Sequence, residues 1–496
     1  MKASNKAGRA IVLILTTVGA IGCAADNVTT PGITSLASRS VAQDGRIELC
    51  HNTDQAPHLI SVGRTAVSAH IRHGDYIARL VVDPQAENGL EGAHFDRITD
   101  AVLAARALRL SRNEVTTAAC RITIDVARGV YTGSFDADAE ASHERFPFIV
   151  DVPDVTLHGA LSMRLDALGR PTGDAVSENE VSYLVPTRPL VFLPNTEAMI
   201  VVTSHPGGSE GRGVIIEGFA FQSARNDDSH GGMGIIALRA QDLVIRGNRF
   251  EKGLSSAGDL RSSTVVMERN HGRQLGANCS FCLAGGVFVA ADNRLVDGGL
   301  GGIYVSAAIA HMPFSLGAAP VTTVEPDVLP GAGAVTATIR NNVLRGHSRL
   351  PIGFAIRVLG IGPSSSQIPQ TSHVTVAQNE ISGNTFGIIV DAGFPMANTT
   401  LRGDVDMTLA GNSIQGNCQS NLLVGFTRHT GSLGLTVNPY LRSSTFRLDL
   451  GGDLTWDDAW YAHPAGLDNE LIVNGFPRAN GTSHAFNQNA CPGLGG

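Results

Sequence analysis

Six short stretches decide the fold: Val244-Ile-Arg-Gly-Asn248-Arg-Phe250, Val266-Met-Glu-Arg-Asn270-His-Gly272, Val289-Ala-Ala-Asp-Asn293-Arg-Leu295, Thr338-Ile-Arg-Asn-Asn342-Val-Leu344, Thr375-Val-Ala-Gln-Asn379-Glu-Ile381 and Thr408-Leu-Ala-Gly-Asn412-Ser-Ile414. An earlier copy, Ile215-Ile-Glu-Gly-Phe219-Ala-Phe221, carries Phe at the Asn position. Three residues before that position stand Ile216, Ile245, Met267, Ala290, Ile339, Val376 and Leu409. Two residues earlier stand Val214, Leu243, Val265, Phe288, Ala337, Val374 and Met407. A spacing of two puts both apolar columns on one face of a strand, and that face must point inward. Two residues after the Asn, six of the seven copies are again apolar. Stacked in register, the Asn side chains lie ~4.8 Å apart and can bond up and down the stack as an amide ladder. Asn also tolerates the left-handed conformation of a sharp corner. The closest copies are 22 and 23 residues apart, which sets the length of one coil.

The rest of the chain agrees with a stacked strand repeat. Its 496 residues are 43% hydrophobic but only 17% charged, with 57 Gly. That mixture suits many short strands joined by tight turns. The net charge of −8 and only three lysines, at 2, 6 and 252, argue against a nucleic-acid partner. Residues 95–105 have helical periodicity, and Ile122–Val126, 146–150 and 155–159 read as strands that begin the stack. A helix at this point would cover the open end of the apolar column. Asp449-Leu-Gly-Gly452 and Glu470-Leu-Ile-Val-Asn474-Gly475 read as the closing coil.

This repeat resembles the right-handed parallel β-helix of the pectate-lyase-like superfamily, over about residues 93 to 475, and the expected class is all-β. The order helix, strand, strand at 93–160 resembles the cap and first coil of an uncharacterised bacterial β-helix family. The expected organisation is a signal at 1–22, a flexible tether at 23–45 and a small Cys/His module at 46–80. The cap and first coil at 93–160, the β-helix at 161–475 and a tail at 476–496 follow.

Lys2, Lys6 and Arg9 precede an apolar run, Ile11 to Ile21, that is too short for a permanent span. Ala20-Ile-Gly-Cys23 resembles the lipobox of bacterial lipoproteins, which implies lipid on Cys23 and, with Ala24 following, an outer-membrane or cell-surface destination. Six other cysteines, Cys50, Cys120, Cys279, Cys282, Cys418 and Cys491, form an even set suited to disulfides in an oxidising compartment. Cys279-Ser-Phe-Cys282 could be a local disulfide, a redox pair or half a zinc site. With no βαβ pattern and no second Cys-x-x-Cys, the disulfide is favoured.

The module Cys50-His51, His58, His70-Ile-Arg-His73-Gly-Asp75 resembles a short Cys-His…His-x-x-His-Gly-Asp unit of exported bacterial proteins. His51, His58, His70, His73 and Asp75 could hold Zn²⁺ or Cu²⁺, or could form a hydrogen-bonded cap with Cys50 in a disulfide. In the repeat, Glu217, Arg246 and Glu268 fall in one outward column, either as a solvated ion-pair ladder or as a site for acidic sugars. In pectate-type elimination carboxylates hold Ca²⁺ against a uronate and an Arg takes the C5 proton, so Ca²⁺ is the cofactor expected of a lyase. Asn226-Asp227-Asp228-Ser229-His230 is similar to pieces of the polygalacturonase pattern, but it packs them into one loop and lacks that family's Arg-Ile-Lys triplet. Asp457 and Asp458 lie between Trp456 and Trp460 and could face a sugar, with an end cap as the plainer reading. Long inserts at about 307–334, 361–372, 394–405 and 427–443 follow a second recurring strand and would wall one side of the column, where a ligand groove is expected unless the loops only shield the column from other molecules. Two functions follow: a tethered surface protein that binds a glycan or another surface, and a polysaccharide lyase or hydrolase. The first is favoured because no complete catalytic set emerges.

Overall fold

In the computed structural model residues 46–483 are described, except 52–56, 86–92, 111–119, 136–142, 175–179, 189, 191–196, 204–210, 224–230, 277–278, 308–313, 317–318, 322–333, 349–352, 361–369, 392–401, 426, 431–433, 438–442, 464–467 and 480. The signal, Cys23 and the tether lie outside these residues, as does the loop with Asp227, Asp228 and His230.

Each coil lays one strand on each of three parallel ladders. The first sheet runs from Arg79–Val82 through Ile122–Val126, Val155–His158, Ile215–Glu217 and Leu243–Arg246 to Thr445–Asp449 and Glu470–Val473. Every successive pair on it is parallel. A corner leads to a second, ten-stranded sheet that includes Ser182–Pro186, Phe219–Phe221, Arg249–Phe250 and Ser413–Gln415. A third sheet carries Ala198–Thr203, Met233–Leu238, Gly301–Ser306, Phe354–Leu359, Phe386–Asp391 and Ser420–Gly425. Two 13-residue strands, Ser256–Glu268 and Cys279–Ala291, pass from the third sheet into the first without a break. The chain is a parallel β-helix.

The corner between the first and second sheets is an Asn ladder, as the repeat requires. Asn248, Asn270, Asn293 and Asn342 are wholly buried and Asn379 nearly so. The amide oxygen of each accepts the backbone N–H of the rung above: Asn248 from Phe219, Asn270 from Asn248, Asn293 from Asn270, Asn342 from Asn293, Asn379 from Asn342 and Asn412 from Asn379, all at 2.9–3.1 Å. The amide nitrogens donate to backbone carbonyls of the preceding coil, such as Ile216, Met267 and Val376. Phe219 can end the ladder because the rung below asks it only for its backbone N–H. At the other end Asp453 accepts from the N–H groups of Gly411 and Asn412 and from the Asn412 amide.

The left-handed residue of the corner is the one before the Asn, not the Asn itself: Gly218, Gly247, Arg269, Asp292, Asn341, Gln378 and Gly411 all have positive φ. The Asn is conserved through the copies for its hydrogen bonds; the conformational strain sits beside it. A second, shorter amide stack joins the second sheet to the third: Asn384 donates to Asn417, which donates to Asn421.

The three apolar columns face the interior, and Phe221 stacks on Phe250 with centroids 4.8 Å apart. Helix α2, Ile98–Leu110, closes the open end with Ile98, Ala101, Val102 and Ala105. Glu144 receives the first N–H groups of α2, from Ile98 and Thr99, plus the Thr99 hydroxyl, all within 2.6–2.8 Å. Ahead of it, Arg46–His51, His58–Gly63 and Tyr76–Ile77 form a small antiparallel sheet beside α1, Arg64–Arg72. Cys50–Cys120 ties that module to the first coil, and Cys279–Cys282 is a local disulfide; Cys418 is also disulfide-bonded. The β-ladder begins at Arg79, ahead of the expected 93, because Arg79–Val82 pairs directly with Ile122–Val126. In the tail, Phe476–Pro477 and Gly481–Ser483 fold back antiparallel on the last strands.

The ladder makes a quantitative demand. Asn342→Leu leaves the Asn293 N–H and amide and the Ala290 carbonyl without their buried partners, at a cost of roughly 3 kcal/mol or more. Asp453→Ala, at the partly solvated end, should cost less, about 1–2 kcal/mol. Chemical denaturation of the two variants checks the order; equal and small losses would contradict it.

Candidate functional site

The outer side of the first sheet carries a column of charge set by strand register. Asp125 faces His158, His158 faces Glu217, Glu217 faces Arg246 and Arg246 faces Glu268. Four strand steps give a span of about 19 Å. The expected trio is therefore brought together, and it belongs to a longer array. Arg246 pairs with Glu217 and lies 3.9 Å from Glu268. Arg79 pairs with Asp125 and reaches Glu48 at 3.7 Å. His158 Nδ1 sits 2.8 Å from Asp125 Oδ1, so Nε2 is turned away from that carboxylate. Arg246 and His158 are about two-fifths exposed, at 43% and 38% of their side-chain surface, while Asp125, Glu217 and Glu268 keep 16%, 22% and 26%, so the column is partly open to solvent. Asp125 and His158 went unread in the sequence because their coils precede the first Asn copy, with residues 159–213 intervening.

The pair is electrostatically coupled. Asp125 bonding raises the His158 pKa, against the opposing effect of burial, and Glu217 adds to the rise. Burial pushes Asp125 up, but the His158 bond and the Arg79 and His158 charges outweigh it and hold the carboxyl below its usual range.

The third sheet is where the inserts leave the column, as expected: they run from Gly301–Ser306, Phe354–Leu359, Phe386–Asp391 and Ser420–Gly425 to the next first-sheet strand. Most of their residues lie outside the described ones; two antiparallel hairpins, Phe314–Leu316 with Ala319–Val321 and Thr427–Thr430 with Gly434–Val437, are within them. The open groove expected against this wall is not what the outer face presents. Phe354, Phe386, Ile389, Leu423 and Trp460 make an outward apolar cluster with at most 5% exposure. These five side chains are covered, so no open groove lies directly over them. Charge is nevertheless buried within this face. Arg357 bonds Asp391 at 2.7 Å and lies 6.0 Å from the Tyr304 ring centre, while Arg261 bonds Asp259 at 2.9 Å. Burial drives the Tyr304 pKa above its ordinary value. The signal for these residues was a lone charge inside an apolar strand, as in Phe354-Ala-Ile-Arg357-Val-Leu359. Asp259 and Asp391 stand four strands apart and two residues out of register, about 20 Å from backbone to backbone, well beyond the ~5–9.5 Å of a glycosidase carboxylate pair.

A strap, residues 161–174, crosses the outside of the second sheet. Asn341 donates to the Leu168 carbonyl, Arg170 lies 3.6 Å from Glu380, and Arg249 donates to the Asp174 carbonyl. Beside it is a shallow cleft of about 550 Å³ lined by Leu168, Arg170, Gln378 and Gln415. Under the strap His271 lies in register between Arg249 and Arg294. Burial and then those two arginines push its pKa down to about 3.

In the amino-terminal module His51 and His70 converge on Asp75, with Nδ1 to Oδ2 distances of 2.8 and 2.7 Å. His58 stands edge-on to His51 at 5.4 Å. His73 is the C-cap of α1 and takes no part in the triad. Cys50, being in a disulfide, offers no thiolate. Trp456 packs between Tyr461 and Arg478 and Trp460 is buried, so these rings serve the closing coil.

No family model matches the chain, and no curated protein matches it. Several solved structures have similar traces. An endo-xylogalacturonan hydrolase from Aspergillus tubingensis is 12% identical, with a TM-score of 0.38 over 80% of this chain and 92% of that one. The A-module of a mannuronan C-5 epimerase from Azotobacter vinelandii is 12% identical, with a TM-score of 0.34 over 75% and 84%. An alpha-1,3-glucanase catalytic unit from Streptomyces thermodiastaticus is 13% identical, with a TM-score of 0.36 over 80% and 70%. The β-helix rests on the strand pairing above, not on these likenesses.

The coupled pair sets a pH dependence. Because the His158 pKa is raised above 6.5 in the fold, its contribution is whole below pH 6.5 and is lost as pH climbs through the folded value. Because the Asp125 pKa is lowered below 3.8, its contribution is whole above pH 3.8 and is lost as pH falls through the folded value. Thermal melts should therefore show wild type losing stability above pH 6.5 relative to Asp125→Asn. Parallel curves would show the pair to be uncoupled.

Proposed function

We propose that this chain is an exported, lipid-anchored surface protein that binds an extended glycan along the outer face of its first sheet. The observation that carries the reading is the column Asp125, His158, Glu217, Arg246, Glu268. It is partly open to solvent and alternates acceptors with donors at strand spacing over about 19 Å. Sugars are recognised by such alternation, since each hydroxyl both donates and accepts. A rigid parallel sheet holds the groups before the ligand arrives, which lowers the cost of ordering them. Cys23 would supply the membrane anchor through its lipid, at the outer membrane or cell surface.

The enzymatic reading, a lyase or hydrolase on acidic polysaccharides, is favoured by a different observation. Asp391 and Arg357 bury an ion pair beside Tyr304 in a largely apolar outer face, and buried ionisable groups gather at functional sites. In that reading Ca²⁺ would assist, and the reacting groups would come from the third sheet rather than the first.

A panel of acidic polysaccharides, with and without Ca²⁺, separates the two. Binding without product, weakened tenfold or more by Glu217→Ala with Arg246→Ala, is expected. Unsaturated uronate product abolished by Arg357→Ala would establish the enzyme instead. Cys23→Ser should move the chain from the membrane fraction to the soluble one; an unchanged distribution would refute the anchor.

A further inference from the structure

We propose that the amino-terminal module binds one divalent transition-metal ion of the zinc class through His51 Nδ1, His70 Nδ1 and Asp75 Oδ2. Both imidazole nitrogens reach the same carboxylate oxygen, at 2.8 and 2.7 Å. One donor atom from each of the three residues lies within 4.8 Å of the others. Asp75 is fully buried, while the His51 and His70 side chains are 33% and 28% exposed. The carboxylate is thus the floor of the site and the rings its two walls, with an opening to solvent.

The three donors arrive from three elements that the fold locks together. His51 ends the strand Arg46–His51, His70 lies in the last turn of α1, and Asp75 immediately precedes Tyr76–Ile77. Register places Cys50 opposite both Leu59 and Tyr76. The adjoining Cys50–Cys120 disulfide ties the His51 end of that strand to the first coil. Donors held on rigid elements are what a metal site needs.

The donor set selects the metal class. Two imidazoles and one carboxylate, with no thiolate, suit Zn²⁺ and the neighbouring ions Cu²⁺ and Ni²⁺ rather than Ca²⁺ or Cu⁺. Three protein ligands with a solvent-side opening leave a fourth position for water or for His58. His58 sits directly opposite His51 in the strand register, with its ring 5.4 Å away. The present N to O separations are hydrogen-bond distances. Ligands on a tetrahedral zinc with bonds of about 2.0–2.1 Å stand about 3.4 Å apart. Binding therefore widens each N to O separation by roughly half an ångström and replaces two N–H···O bonds, a shift within reach of rings about a third exposed. A hydrogen-bonded cap would explain one imidazole on a buried carboxylate; it gives no reason for two to converge on a single oxygen from separate elements.

The test uses the full chain after metal removal. Titration with Zn²⁺ should show one equivalent bound with micromolar or tighter affinity, and His51→Gln with His70→Gln should weaken it by roughly 100-fold or more. His73→Gln, one turn away and outside the triad, should leave it unchanged. Loading with Cu²⁺ gives a readout independent of affinity: spin-resonance couplings from two nitrogens in the wild type, or three where His58 takes the fourth position, and one fewer in His70→Gln. Far-ultraviolet circular dichroism confirms that each variant is folded. A folded wild type that takes up no Zn²⁺, or uptake undiminished in the double variant, overturns the proposal.

Discussion

The hydrogen bond from a backbone N–H to the Asn amide of the next coil is the constraint on which the structure depends. A corner that turns one sheet into another leaves peptide groups buried and beyond the reach of either ladder. Orphaned groups of that kind are costly. Each Asn accepts the backbone N–H of the rung above and donates to a carbonyl of the coil above. The ladder is polar and has two ends: the Phe219 N–H at one and the Asp453 carboxylate at the other. A coil displaced by one residue would break these bonds and turn its apolar columns outward at the same moment.

That fixed register is also what organises the surface. On the first sheet it lines up Asp125, His158, Glu217, Arg246 and Glu268 into a partly open array. On the third it lines up aromatic and aliphatic side chains that must be covered, with Arg357–Asp391 and Asp259–Arg261 enclosed among them. The two outer faces therefore have different chemical capacities although the strands share one backbone geometry. The first carries partly solvated donors and acceptors. The third stores paired charge out of water.

Much of this was legible in the sequence, and the reasons are physical. The Asn and the apolar columns at two, three and five residues from it stood out because every coil must solve the same corner and fill the same core. The Glu217–Arg246–Glu268 column followed from the same alignment. What was not legible depends on contacts outside the repeat. Asp125 and His158 join the column across long connections that carry no ladder Asn. Arg357 and Asp391 lie in apolar strands whose outward face reads like core. Positive φ falls on Arg269 and Gln378, residue types with no special tendency to adopt it, because the corner imposes the conformation. The pairing of Cys50 with Cys120, across 70 residues, was one of fifteen formal possibilities. In the module the sequence offered five candidate side chains, and the fold brings His51, His70 and Asp75 together while leaving His73 at a helix end.

Amide hydrogen exchange resolved by residue tests the central claim most directly. If the ladder holds the coils in register, the backbone N–H groups of Asn248, Asn270, Asn293, Asn342 and Asn379 exchange among the slowest in the molecule, on the global unfolding limit. Exchange of these five at the rate of solvent-exposed, unbonded peptides would contradict it.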